Sequence, residues 1–208
     1  MTQDTRLCGV SATHPDWNRE KLARWWDPSR QLLRSIRQYQ QWRNSRSWLK
    51  SLMCRWNVLQ YRFWTVVTAT DIPLNCKLGG GLLMPHPTGI VIHNDVEMGP
   101  NCLILQQVTI SQGVKIGGHV DIGAGAKIIR PVTIGDHAQI GANAVVLFDV
   151  PAGATAVGVP AKIINRHRVA QMMDAVKASS QSPPLANQTS LRAIRAKLSR
   201  NGPPAASK

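Results

Sequence analysis

Ten aliphatic residues recur at intervals of six through the middle of this chain without a skip: Ile92, Met98, Ile104, Ile110, Ile116, Ile122, Ile128, Ile134, Ile140 and Val146. Four residues after each stands a second, mostly small or β-branched series that runs from Val96, Cys102 and Val108 to Ala144 and Val150. A helical period of 3.6 would scatter these positions around the circumference, and simple alternation would demand a strand longer than globular domains contain. A repeat architecture is what remains. Units of one short strand and one tight turn give a prism with an aliphatic residue inward on each side. Its coils stack about 4.8 Å apart and bury ladders of like side chains. Gly99, Gly117, Gly123, Gly135 and Gly141 follow inward residues, where a side chain would crowd the bend. GAGAK at Gly123 to Lys127 reads as a repeat turn, because it falls in register and lacks the GK[ST] ending of a phosphate loop. Continued backwards, the register places Leu74, Gly80 and His86 at the main inward position, with Ile72, Leu78, Met84 and Ile90 at the second. The coil is expected to begin near Asp71.

With 208 residues, 43% of them hydrophobic, the chain suits one well-cored domain with extensions. Its formal charge of +14 is unevenly spread. Residues 1–70 carry 12 Lys/Arg against 4 Asp/Glu, residues 71–165 carry 5 against 6, and residues 166–208 carry 8 against 1. A near-neutral centre between basic flanks predicts a structural or catalytic core whose appendages meet something anionic. Cys8, Cys54, Cys76 and Cys102 form no CxxC pair, which argues for free thiols over a zinc knuckle or a disulfide framework. Neither a membrane-spanning run nor a secretory leader is legible, so a cytoplasmic protein is expected.

The flanks read as helical. Asp27 and Pro28 suit the N-cap and first turn of a helix with Leu32, Leu33, Ile36 and Tyr39 on one face. A second helix from about Ser47 to Val67 places Trp48, Leu52, Trp56, Leu59 and Phe63 on another face. Two roles compete for these arginine-flanked faces: a cap over the open end of the coil, favoured here, and docking on an anionic membrane surface. At the other end, Asn165 to Ala178 is expected to form a short helix. The Ser/Pro-rich sequence beyond it has the composition of disordered chain, with a helical patch from Leu191 to Leu198. Three regions follow: a basic, Trp-rich helical region (1–67), the repeat domain (68–164) and a C-terminal helix and tail (165–208).

The stretch LLMPHPTGIVIHND, Leu82 to Asp95, sets His86 between two prolines in an apolar segment. With TDIPLNCKLGGG before it and QQVTIS, GAGAKI and VPAGATAVGVPAKII after it, the chain resembles the hexapeptide-repeat acyltransferases, and within them the serine acetyltransferase branch. The resemblance covers roughly residues 65 to 166. It implies a left-handed parallel β-helix, a homotrimer, and direct acetyl transfer from acetyl-CoA to an acceptor hydroxyl. It makes His86 the general base and Asp71 the group that orients it. It also implies that acetyl-CoA lies in a groove between two prisms, along Gln112, Ala124 and Ala142, with Lys162 at the nucleotide phosphate. The chemistry is consistent with that role. An alcohol is a poor nucleophile unless its proton leaves as the new bond forms, and imidazole, with a reference pKa near 6.5, suits that transfer. A carboxylate on the other ring nitrogen fixes the tautomer and stabilises the imidazolium. A structural histidine is the competing reading of His86 from its residues alone.

Two departures from the branch stand out. Pro85 occupies the place of an acidic residue just before the base. The run VTISQGVKIGGHVDIGAG also lacks the glycine-rich loop whose second histidine helps to bind serine. Both departures remove serine-recognising groups, and the pattern resembles more closely the related sugar O-acetyltransferases, which implies a sugar hydroxyl in capsule, exopolysaccharide or lipopolysaccharide synthesis as the acceptor. Serine itself, in cysteine biosynthesis, is the alternative. A noncatalytic scaffold or a basic RNA-binding protein is the alternative of another class, with only net charge in favour of nucleic acid. His119 and His137 are 18 residues apart and should stack one coil above the other. They offer too few ligands for a metal, and none is expected. His93 is read as a surface residue.

Overall fold

The computed structural model describes residues 10–43 and 48–164. The repeats form three parallel sheets, one per side of the prism. One stacks Val91–Ile92, Thr109–Ile110, Lys127–Ile128 and Val145–Val146. The second stacks Lys77–Leu78, Glu97–Met98, Lys115–Ile116 and Thr133–Ile134. The third stacks Leu103–Ile104, Asp121–Ile122, Gln139–Ile140 and Thr155–Val157, and is closed by the antiparallel strand Lys162–Ile164. Every member of both aliphatic series, from Ile92 to Val150, is buried. Between strands, chain reversal falls on residues in the left-handed region, among them Asn101, Gln107, His119, His137 and Asn143. The in-register glycines have a different role. A Cβ on Gly99 would lie 2.5 Å from Gly118 N, and one on Gly123 2.5 Å from Ala142 N, so these glycines are required by the close approach of the next coil.

The first coil corrects the backward register. It begins at Asp71, which bridges to Val91, while Lys77 pairs with Glu97 and Leu83 with Leu103. Each of these offsets is two residues longer than the step from Val91 to Thr109 in the next coil. The main inward positions are therefore Ile72, Leu78 and Met84, all buried, with Cys76, Leu82 and Ile90 in the second series. Leu74 is only partly buried, Gly80 packs under Trp17, and His86 is exposed rather than inward. The two extra residues lie between Leu83 and Val91. They were invisible to a register extended as a strict period. The last coil is shortened instead, since Val150 bridges to Ile134 only 16 residues back.

Two helices precede the coil. Helix α1, Pro28–Trp42, is capped by Asp27, whose side chain accepts from Arg30 N. It covers the first coil with buried Leu32, Leu33 and Ile36. The carbonyls exposed on that open rung receive donors: Arg37 bonds Leu78 O at 2.5 Å and Gly79 O at 2.6 Å, and Gln40 bonds Leu74 O and Cys76 O. Helix α2, Trp48–Thr68, runs into the coil and turns Asn57 and Thr68 inward. The expectation that its apolar stripe covers the coil is corrected: Trp48, Leu52, Trp56, Leu59 and Phe63 are all exposed. The open rung needs hydrogen-bond donors as well as apolar cover, and α1 supplies both. Ser47, Cys8, the helices expected at Asn165 to Ala178 and Leu191 to Leu198, and the tail lie outside the described residues.

Candidate active site

The two-residue insertion forms a bulge at the corner where the third side of the first coil meets the first side of the next. Leu83 holds its start, donating to Cys102 O and accepting from Ile104 N, each at 2.9 Å. Beyond it, Ile90 N closes a turn on Pro87 O, and Thr88 O accepts from Gln107 N at 2.9 Å. Pro85 and His86, between these anchors, are both exposed. Proline on each side restricts the backbone that carries the imidazole. The chain leaves this corner at Asp71 and returns to it at the bulge after one circuit of the prism. The Asp71 N–H donates to Ile90 O and its carbonyl accepts from Ile92 N, both at 2.8 Å. The carboxylate and the imidazole make no hydrogen bond to each other in the isolated chain, and both remain solvent-accessible.

Of the residues expected to line a cosubstrate groove, some share that corner and one does not. Gly125 N bonds Gln106 O and Asn143 N bonds Ala124 O, each at 2.8 Å, so Thr88, Gln106, Ala124 and Ala142 stack on successive coils above the bulge. The column is topped by the closing hairpin, where Ala161 N bonds Val145 O and Lys162 pairs with Val157. Lys162 is exposed there. From the Gly89 row to the hairpin is four coil steps, roughly 19 Å. Gln112 is also exposed, but it sits at a different corner, beside Gly113, whose N–H donates to Asp95 Oδ2.

A cleft of about 270 Å³ opens beside the bulge, between the start of α1 and the strand that leads to His86. Asp27, Arg30 and Pro85 are among its walls, and Arg30 Nη1 lies 3.2 Å from Asp27 Oδ2. The sequence marks Asp27 only as a helix cap. Nothing in the local pattern shows that a segment 55 or more residues upstream lies against the bulge.

His119 and His137 do stack, with Nδ1 atoms 2.9 Å apart and ring centroids 5.0 Å apart, and burial pushes the His119 pKa down. His93 is a surface residue bonded to Asp95 at 2.5 Å. Among the described residues, no group of three or more His, Cys, Asp or Glu is placed to hold a metal ion.

No family model matches the chain. A probable serine acetyltransferase of Oryza sativa is 50% identical over 108 residues, covering 48% of this chain and 32% of that protein. A serine acetyltransferase of Helicobacter pylori is 40% identical over 110 residues, covering 49% of this chain and 64% of that protein. The chain thus spans less than two thirds of either relative. The solved structure of a serine acetyltransferase in complex with CoA superposes with a TM-score of 0.57 at 35% identity, over 67% of this chain and 58% of that one. These likenesses overturn the expected sugar acceptor. The proteins that the chain resembles are serine acetyltransferases, so Pro85 and the uninterrupted coils do not point to another acceptor. Over its coiled segment the chain is similar to the serine acetyltransferase branch of the hexapeptide-repeat acyltransferases, and it shares the parallel β-helix fold of their solved structures.

Proposed function

We propose that this chain is an acetyl-CoA-dependent serine O-acetyltransferase. The observation that carries the reading is the bulge that leaves His86 exposed, at the foot of the column that leads to Ala124 and Ala142 and beside the charged cleft. In the reaction, His86 takes the serine hydroxyl proton as the oxygen attacks the thioester carbonyl. The tetrahedral intermediate then expels CoA thiolate, which recovers that proton from the imidazolium. Asp71 orients the ring once acceptor and cosubstrate have narrowed the site. Serine is a zwitterion, and the cleft supplies both complementary charges: Asp27 for its ammonium group and Arg30 for its carboxylate. Separating that pair costs little, because both side chains are more than a fifth exposed and such ion pairs contribute about 0–1 kcal/mol. These groups supply serine recognition that the residue before His86 and the missing loop do not.

The pantetheine arm of acetyl-CoA runs along Ala124 and Ala142, where small side chains let it approach the backbone, and Lys162 meets a nucleotide phosphate. Gln112 joins that groove from a second copy, since its corner differs from theirs. The working form we propose is the homotrimer that the resemblance implies. Purified full-length protein with acetyl-CoA should release free thiol on addition of L-serine, and much less with ethanolamine, which lacks the carboxylate. Absence of any serine-dependent release would overturn the reading. Sedimentation as a monomer at assay concentration would remove Gln112 from the site.

A further inference from the structure

Helix α2 is inside out. Its packed side holds Asn57 and Thr68, each 3% exposed, with Tyr61 donating to Ile72 O. Its outer side carries Trp48, Leu52, Trp56, Leu59, Phe63 and Val66, between 53% and 80% exposed. Steps of four and three residues make these one stripe, roughly 27 Å long. Trp26 stacks edge-on against Trp64 at 5.5 Å, and Trp25, 82% exposed, continues the apolar surface beyond the helix. With Leu49, Met53 and Val67 beside the stripe, folding leaves nine large apolar side chains of this helix in water while turning Asn57 and Thr68 to the interior.

The charge around the stripe selects its occupant. No acidic residue occurs between Asp27 and Asp71, a segment with eight Lys/Arg. On the helix itself, Arg55 and Arg62 are exposed and have no carboxylate partner among the described residues. Arg55 lies in the wall of a shallow groove with Leu52, Trp56 and Leu59. A second copy laid on this face would bring like charges together, whereas an anionic bilayer offers both the charge and the apolar depth the face lacks. Tryptophan and arginine are suited to the boundary between headgroups and acyl chains. No helix among the described residues is long and apolar enough to cross a membrane, so the helix would lie along the surface. We infer that the outer face of α2 docks the protein on anionic phospholipid, with the stripe inserted and Arg55 and Arg62 at the headgroup phosphates. The inference does not depend on the acceptor proposed above.

The test is co-sedimentation of the full-length protein with phosphatidylcholine vesicles, with and without phosphatidylglycerol. Binding is expected only to the anionic vesicles and should weaken as salt is raised. Arg55→Gln with Arg62→Gln should weaken it roughly tenfold or more. Trp56→Ser with Leu59→Ser should abolish it at unchanged net charge, and circular dichroism should show both variants folded. Three results would overturn the inference: no binding to anionic vesicles at low salt, equal binding to neutral ones, or normal binding by the Trp56/Leu59 variant. A Trp56/Leu59 variant that changes the oligomeric state of the protein in solution, with vesicle binding intact, would assign the face to a second copy instead.

Discussion

Leu83 and Val91 occupy equivalent points on adjacent sides of the prism, yet eight residues separate them where six separate Leu103 from Thr109 one coil later. The surplus is absorbed between Leu83 and Thr88, and it leaves His86 exposed while Met84 and Ile90 keep the buried positions. A regular coil stacks its outward side chains one above the next, as it does His119 and His137, and so leaves no separate place for an imidazole. The irregularity supplies that place at the cost of local regularity alone, since Leu83 and Thr88 both keep their ladder bonds to the next coil.

The first prediction follows from that geometry. His86→Ala should lower acetyl transfer roughly 10²-fold or more, the effect of losing a general base, with the fold and thermal unfolding unchanged because the side chain is exposed. Asp71→Asn should be milder, since it mis-sets the ring without deleting it. Steady-state thiol release decides the matter. Near-normal turnover by His86→Ala would remove the histidine from the mechanism.

A second prediction concerns the thiols. Burial pushes both Cys76 and Cys102 up to about 11, from an ordinary value of 9.0. A thiol that stays protonated is a poor nucleophile, so neither should be alkylated in the native protein at pH 8, while both react after unfolding. Because folding raises these pKa values, the folded state binds the protons more tightly. The associated stability is fully present below about pH 9 and is lost as pH rises through about 11. Mass spectrometry after pulsed alkylation would read the first effect, and denaturant midpoints at rising pH the second. Fast native labelling of Cys102 would show that the third side of the prism opens.

How far the sequence was legible depends on which rule each element obeys. From Ile92 to Val146 a strict period is also a strict stacking rule, so residue number alone locates the inward side chains. The rule fails at both ends, where the first coil gains two residues between Leu83 and Val91 and the last loses two before Val150. Prolines mark both places, at Pro85 and Pro87 and at Pro151, but a proline does not tell how many residues a coil gains or loses. Amphipathicity showed that α2 has an apolar face but not which way it points, and tertiary demand decided that in favour of Asn57 and Thr68. The cleft at Asp27 and Arg30 was illegible for a third reason. It is made of segments distant in the chain, and Asp27 has a sufficient local role as an N-cap.

A third prediction addresses the cap. Arg37 ties together the Trp17–Glu20 turn, α1 and the first coil. Two of its nitrogens bond Glu20, at 3.2 and 2.9 Å, and it donates to two coil carbonyls while Glu20 accepts from Leu82 N at 3.0 Å. Lysine cannot reproduce that planar fork, and an unpaired, mostly buried Glu20 carboxylate is costly. Arg37→Lys should therefore lower stability by about 2–4 kcal/mol, read as a lower urea midpoint at constant m-value. A change under about 0.5 kcal/mol, the range of ordinary surface substitutions, would show that the node is dispensable.

The fourth prediction isolates the attachment of the N-terminal segment at one residue, Asn101. Its backbone sits at φ 62°, and its side chain, 1% exposed with its backbone, accepts from Asp16 N at 2.7 Å and donates to Ser11 O and His14 O at 2.7 Å. Two costs are therefore combined in Asn101→Ala: about 1–2 kcal/mol for a Cβ-bearing residue without asparagine's local compensation in the left-handed region, and about 1–3 kcal/mol for polar groups left unpaired. Asn101→Gly relieves the backbone and keeps only the second cost. Alanine should thus be the more destabilising substitution by about 1 kcal/mol, while both should expose residues 10–20 to limited proteolysis equally. If glycine restored protease resistance as well as stability, backbone conformation rather than the three side-chain bonds would hold the segment against the coil. Equal destabilisation by alanine and glycine would instead show that the left-handed turn carries no strain at this corner.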